Sequence, residues 1–487
     1  MRIWTCVVTA VCAVAFCAVA LGPVGAEPAS ACGIPQDIHD GWVMTVPEKQ
    51  GLNTALLCAM DEGISGGKLA NVDDIVVIRH GVLVFERYYD YPHQMNYDAT
   101  TRHNGYSMTK SVVSLLVGVA MDRGLIKDLD APISSYLPDY AGLRAWDKDR
   151  MTLRHLLTMS AGLGTERALG VSFQYDNVSF QYNNAETELI GTILKKVTGK
   201  GVDVLAQENI FAPLGIEDVA WYRNPVSGLP TSSYGLSLRP RDWAKIGQLV
   251  LNRGAWDGKQ IVSASWIERS TAEHIKTDKA AFGYGYQWWI GPETFYADGL
   301  FDQLSFVFPK HNAVLAITAG IPQRSGFNKL VFRHFPAMFS ATAATSDADA
   351  DADRLKGRTA ALQLLPPLAP ASSPVVAVIS GKTWQMPENA DAIKSVNLAF
   401  AGNTCTFALE DARGTHTIEV GLDAPREGTT TMTGNKLHHE YQPDVMRVVA
   451  SGTWRDLRTF EMTWTFVESA FRDTVTCTFE GPQMRYA

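Results

Sequence analysis

Residues 341 to 373 read ATAATSDADADADRLKGRTAALQLLPPLAPASS. A stretch rich in Ala, Asp, Ser and Pro, with a DADADAD repeat, cannot bury enough apolar surface to offset the entropy of ordering it. It reads as a linker, so the chain divides into two units that each need their own core. With 487 residues, 46% of them hydrophobic, there is enough material for both.

The two units have different periodicities. Residues 36–340 mix helical patterns, short strands and Gly/Pro turns. DIVVIRHGVLVFERYY predicts a hairpin, with Ile75 to Arg79 and Val82 to Tyr89 flanking His80-Gly81. YSMTKSVVSLLVGVAMDRG, ETELIGTILKKVTG and RDWAKIGQLVLNRG predict helices ending at Gly124, Gly199 and Gly254. YGYQWWI, LSFVFP and NAVLAITAG read as strands. Residues 374–487 instead carry short alternating runs: SVNLAFAG, CTFALED, THTIEVGL, TTTMTG, MRVVASGTW, TFEMTWTFVE and DTVTCTFEG. These predict a small all-β sandwich or barrel.

The first residues are a separate matter. Arg2, the apolar run Ile3 to Leu21 and the small residues after it read as a signal peptide over 1–31, with cleavage near 26–31. That implies a secreted or periplasmic protein with no membrane span after cleavage. Cys32 lies well past the apolar run and lacks the usual preceding Leu, which disfavours lipid anchoring. Cys32, Cys58, Cys405 and Cys477 would remain in the mature chain. The simplest pairing is Cys32 with Cys58 and Cys405 with Cys477, and the other connectivities stay open. No cysteine or histidine spacing suggests a metal site. A net charge of −8 with scattered Lys and Arg argues against nucleic acid as a partner. The sequence leaves the oligomeric state unknown.

The candidate chemistry lies in HNGYSMTKSVVSLLVGVAMDRGLI, His103 to Ile126. A serine hydroxyl is a poor nucleophile until a base accepts its proton. The GxSxG elbow is missing, but Ser107 lies three residues before Lys110. At a helix start, residues three apart share a face, so the lysine points back at the serine. The positive end of the helix weakens an ammonium's hold on its proton and stabilises an oxyanion. The Ser107 N–H is one candidate oxyanion donor. The bland alternative is an N-capping serine.

Downstream, Tyr182-Asn183-Asn184 precede a predicted helix. A phenol beside an ammonium could serve as general base and acid, and Asn184 could orient Lys110 and a substrate carbonyl. The alternatives are a buried aromatic for Tyr182 and an N-cap for Asn184. Further on, Gly299 would let backbone approach a ligand, and the Leu300 N–H would be a second oxyanion donor. Alone, Gly299 would be an ordinary turn glycine.

These three boxes, in this order, resemble the serine β-lactamase and penicillin-binding-protein superfamily. The likeness is to the branch with class C β-lactamases, D-Ala-D-Ala carboxypeptidases, family VIII esterases and 6-aminohexanoate-dimer hydrolase. It extends through MTLRHLLTMSAGL, GLSLRPRDWAKIGQLVLNRGAWDGKQIVSASWI and YGYQWW, over most of residues 70 to 320. The resemblance implies an α+β fold: an antiparallel sheet with flanking helices and an all-helical subdomain, followed here by the small all-β domain. It implies Ser107 as acylated nucleophile, Lys110 as its partner, Tyr182 as general base and acid, and Asn184 in the same box as Tyr182. No metal or organic cofactor is needed for that route. The third box falls on Ala297-Asp298-Gly299, where relatives carry Lys or His first. Losing that cation favours small esters or amides over β-lactam or D-Ala-D-Ala substrates. A rival of another class is a penicillin-recognising binding protein with little turnover.

Overall fold

The computed structural model describes residues 34–65, 71–89, 98–141, 143, 149–163, 179–278, 281–321, 331, 335–339, 373–389, 392–432, 445–481 and 483–486. The expected signal peptide, Cys32 and nearly all of the expected linker lie outside these residues.

An eight-stranded antiparallel sheet forms the first unit. Its strands are β1 (Val72–Arg79), β2 (Val82–Tyr88), β3 (Ile275–Lys276), β4 (Gly283–Tyr284), β5 (Trp289–Gly291), β6 (Thr294–Gly299), β7 (Gln303–Phe308) and β8 (Ala313–Ala319). Their order is β2-β1-β8-β7-β6-β5-β4-β3. The β1–β2 hairpin turns at His80 and Gly81, both with positive φ (53° and 77°), as a two-residue turn between twisted strands requires.

Both faces of this sheet are buried, which explains why its central strands are apolar almost throughout. Val76, Ile78, Val314 and Ala316 face one cluster, with helices α2 (Met108–Asp122), α3 (Asn184–Thr198) and α4 (Pro240–Leu251). Ile75, Val77, Leu315 and Ile317 face another, with α1 (Thr54–Ser65), Phe335 and Met338. Helix α2 is buried on all sides except for its last two residues, as a helix apolar all round should be.

One predicted strand is broken. YGYQWWI forms β4 and β5 with a turn between them, where Gly285 N donates to Trp288 O and Gln287 adopts φ 62°. The Gln287 amide turns inward to the carbonyls of Leu156 and Leu157 and accepts from Thr187. Its backbone carbonyl accepts from Ser111 on α2. Satisfying buried polar groups on three elements outweighs continuing the strand.

The second unit is a curled sheet of β9 (Lys382–Gln385), β10 (Ser395–Ala401), β11 (Thr404–Asp411), β12 (Gly414–Gly421), β13 (Arg426–Thr430), β14 (Met446–Trp454), β15 (Thr459–Phe466), β16 (Arg472–Glu480) and β17 (Gln483–Tyr486). The path runs β9-β10-β11-β12-β14-β15-β16-β17, with β13 paired to β14. Trp384 at one edge meets Phe479 beside the other, with ring centroids 5.6 Å apart, so the sheet closes around its own core. The strand expected at TTTMTG begins earlier, because Arg426 to Thr430 pair with Ala450 to Met446. Cys405 and Cys477 sit in this core as free thiols, and Cys58 is buried on α1. The expected Cys405–Cys477 bridge is therefore not formed. Burial raises the thiol pKa of both core cysteines, Cys477 to about 12, so they behave as small apolar groups.

Arg241 of α4 ties helix, sheet and N-terminal segment together. Its guanidinium is buried and donates to Glu86 on β2 (2.6 and 2.7 Å), to Asp40 (3.2 Å) and to the Gln36 carbonyl (2.5 Å). Arg241→Ala leaves Glu86 buried without its counter-charge. We expect a loss of about 3–5 kcal/mol in urea unfolding, and less in the Arg241→Met/Glu86→Leu double variant.

Candidate active site

The chain enters α2 through a tight turn. Asn104 Oδ1 accepts from Tyr106 N (2.8 Å), Gly105 O accepts from Met108 N, and Tyr106 is held at φ 45°. Only glycine fits at 105: a Cβ there would lie 2.1 Å from the indole of Trp243. The turn delivers Ser107 to the helix start with helical dihedrals and no capping hydrogen bond from its side chain. The N-cap alternative is thus excluded by geometry, since capping requires an extended residue whose oxygen accepts from the first turn.

The Ser107 hydroxyl instead faces Lys110. The Lys110 Nζ lies 2.9 Å from Ser107 Oγ, 2.7 Å from Asn184 Oδ1 and 2.8 Å from the Ser233 carbonyl. Lys110 is only 1% exposed, whereas Ser107 remains partly open. Two of the three partners are carbonyl oxygens that can only accept. The third is a hydroxyl that can accept or donate. A protonated Nζ therefore donates three times, and a neutral one donates twice and takes the Ser107 proton on its lone pair. Both states use the same geometry, so a proton can move along the Ser107–Lys110 contact without rearrangement.

Adjacent asparagines share the work at α3. Asn183 is the N-cap and accepts from Glu186 N. Asn184, the first helical residue, accepts from Lys110. The N-cap alternative considered for Asn184 belongs to its neighbour. The Tyr182 ring lies 4.9 Å from Lys110 Nζ and stacks on Trp289 at 5.7 Å. Phe180 and Tyr284 complete its surround.

Gly299 ends β6 against the turn that precedes α2. A Cβ at 299 would sit 2.1 Å from Gly105 O, so glycine is what allows the two backbones to meet. Leu300 follows, partly exposed at the sheet end. Ala297 is 2% exposed and packs in the apolar cluster with Met108, Val112 and Trp243. Asp298 is 5% exposed. Strand alternation puts it on the opposite face, and its charge, after burial and that of Tyr182, raises the Tyr284 pKa.

Ser233, which faces the lysine through its carbonyl, and Glu188, which holds Ser233, lie outside the three sequence boxes. Glu188 accepts from the backbone N–H of Ser232 (3.0 Å) and Ser233 (2.9 Å) and from the Ser233 hydroxyl (2.6 Å), which fixes the carbonyl that Lys110 uses. A backbone carbonyl leaves no residue-type signal. Glu188 did leave one: it lies four residues after Asn184, on the same helix face. Glu186, fully buried, accepts from Asn183 Nδ2 (2.9 Å) and Ala161 N (3.2 Å). Burial pushes its carboxyl up to about 8, against those hydrogen bonds.

A family model described as Beta-lactamase matches residues 61–333, more than half of the chain. The chain is similar to the 6-aminohexanoate-dimer hydrolase of Paenarthrobacter ureafaciens, 26% identical over 254 residues covering 44% of this chain and 64% of that protein. It is similar to the monacolin J acid methylbutanoyltransferase of Aspergillus terreus, 27% identical over 152 residues, 24% of this chain and 37% of that protein. The chain thus spans less than two thirds of the length of these curated relatives. Among solved structures, EstCE1, a hydrolase with promiscuous acyltransferase activity, superposes with a TM-score of 0.50 at 15% identity, covering 60% of this chain and 100% of that chain. At that identity the likeness speaks to the fold.

Glu186 carries a pH signature beside the site. Its folded pKa lies above the unfolded value, so its contribution to stability is full below about 4.5 and is lost as pH rises toward about 8. Glu186→Gln keeps the shape and removes the titration. Its melting temperature relative to wild type should rise across that window, by calorimetry, and stay level if Glu186 ionises normally.

Proposed function

Because the chain belongs to the Beta-lactamase family, we propose that it is a serine hydrolase that acylates itself on Ser107 and releases the acyl group to water. The contact that carries this reading is Ser107 Oγ against a buried Lys110 whose other acceptors are both carbonyls. In acylation the Ser107 proton passes to Lys110 Nζ and Oγ attacks the substrate carbonyl carbon. The N–H groups of Ser107 and Leu300 take the developing oxyanion. As the tetrahedral species collapses, the carbonyl–heteroatom bond breaks, and the Tyr182 phenol gives its proton to the leaving alkoxide or amine, becoming a phenolate. In deacylation the Tyr182 phenolate takes a proton from the attacking water, the acyl–Oγ bond breaks, and Lys110 Nζ hands its extra proton back to Ser107 Oγ. Asn184 holds Lys110 in line throughout.

The substrates that fit are small esters and amides. Where other family members carry a cation, this chain has Ala297, buried among apolar side chains, followed by the buried carboxyl of Asp298. A substrate carboxylate would meet no counter-charge at that position. That disfavours β-lactam and D-Ala-D-Ala substrates. Relatives named 6-aminohexanoate-dimer hydrolase and monacolin J acid methylbutanoyltransferase support the same preference. The reading of residues 1–31 as a signal peptide would place the activity outside the cytoplasm. No helix among the described residues is long and apolar enough to cross a membrane.

A panel of short-chain p-nitrophenyl esters, nitrocefin, D-amino-acid peptides and aminohexanoate oligomers tests the assignment. Ester turnover should lead. Ser107→Ala should lower it by about a thousandfold or more and abolish the acyl adduct in mass spectrometry. Wild-type turnover in Ser107→Ala, with no adduct on the native protein, would refute it. A fluorophosphonate that labels Ser107 in a protein that turns over nothing would instead favour a binding role. Tyr182→Phe, which keeps the stack on Trp289, should lower kcat by about 10²–10⁴ with KM little changed.

A further inference from the structure

The second unit does not simply follow the first. The loop between β15 and β16 reaches the nucleophile turn. Asn104 N donates to the Glu468 carbonyl (3.2 Å), and the Asn104 side chain in turn accepts from Tyr106 N. Arg102, one residue before the short His103–Asn104 strand, donates to Glu468 Oε1 (3.2 Å) and to Asp218 (2.9 Å). Ala470 N approaches the Tyr106 hydroxyl at 3.5 Å. Arg472 pairs with Asp73 of β1. The loop is braced internally, since Phe466 N donates to Phe471 O, Phe471 N to Ser469 Oγ, and Ser469 Oγ to Phe466 O.

Three rings meet where this loop lands. Tyr106 and Phe301 lie 5.5 Å apart, Phe301 and Phe471 5.9 Å, and Tyr106 and Phe471 6.5 Å, all edge to face. Tyr106 immediately precedes Ser107, and Phe301 immediately follows Leu300. Both have positive φ, 45° and 65°. A side-chain-bearing residue keeps that conformation only where its surroundings impose it. Here the surroundings include a ring from the other domain.

We propose that the C-terminal β-domain is a positioning element of the active site: Phe471, packed between Tyr106 and Phe301, holds in register the two turns that present the Ser107 and Leu300 N–H groups. This rests on the hydrolase reading above. Phe471 touches no reacting atom and acts through the two turns. A shift of either turn moves an oxyanion donor, and misplacements of about 1 Å far from the chemistry can cost about a hundredfold. The effect should fall on the tetrahedral step rather than on substrate binding.

The test uses the full chain. Phe471→Ala should slow Ser107 acylation by a fluorophosphonate, and lower kcat for a p-nitrophenyl ester, by about tenfold to a hundredfold. KM should stay within about twofold, since no substrate contact is lost. Phe471→Tyr, which keeps the ring, should recover most of the rate. If Phe471→Ala does not fold, Phe471→Leu, which keeps apolar volume but not the ring edge, should show the same kcat loss at unchanged KM. Folded variants that lose melting temperature yet acylate at the wild-type rate would overturn the proposal and leave the hydrolase reading intact. Failure of the wild-type protein to label at Ser107 would defeat the hydrolase reading, and this one with it.

Discussion

A lysine Nζ placed at 1% exposure needs oxygen partners in three directions, and each of the three that Lys110 finds comes from a different part of the chain. Ser107 comes from the turn before α2, Asn184 from the first turn of α3, and Ser233 from the segment leading to Leu236. An ammonium buried without them would cost several kcal/mol. Packing the helices against the sheet and assembling the site are therefore one event. The same burial shields Lys110 Nζ from bulk solvent, while the Ser107 hydroxyl stays partly open.

Around this polar centre aromatic rings pack closely. Trp289, Phe180 and Tyr284 fix the plane of Tyr182, and Trp243 leaves room only for glycine at 105. Rings suit this task because they fill large volumes with two torsions each and so hold position at little entropic cost. The Tyr182 ring is held with its face toward Lys110, 4.9 Å from Nζ to the ring centroid.

Much of this was legible in the sequence, for physical reasons. Ser107 and Lys110 lie on one helix face, so their contact follows from periodicity alone. The hairpin, α2, α3 and α4 were signalled by apolar spacing and by glycines that do adopt positive φ at their ends. What was not legible depended on long-range satisfaction of polar groups. Gln287 breaks a run that reads as one strand because carbonyls more than a hundred residues away need its amide. The choice between Asn183 and Asn184 as cap turns on where the helix begins, which periodicity fixes only to within a residue or two. The Ser233 carbonyl has no side-chain signature at all. Cysteine parity suggested a bridge where the structure holds two thiols in an apolar core.

The Asn183 cap has one more consequence. Each residue advances a helix by about 100°, so a slip of one position would swing Asn184 away from Lys110 altogether. Because Asn183 fixes the start locally, through its own bond to Glu186 N, the register of α3 is set after the chain arrives and not by the path it took. Insertions or deletions upstream of the cap can therefore reshape the approach to the site without dephasing its chemistry. A family built this way can change what it admits while leaving the serine and lysine untouched.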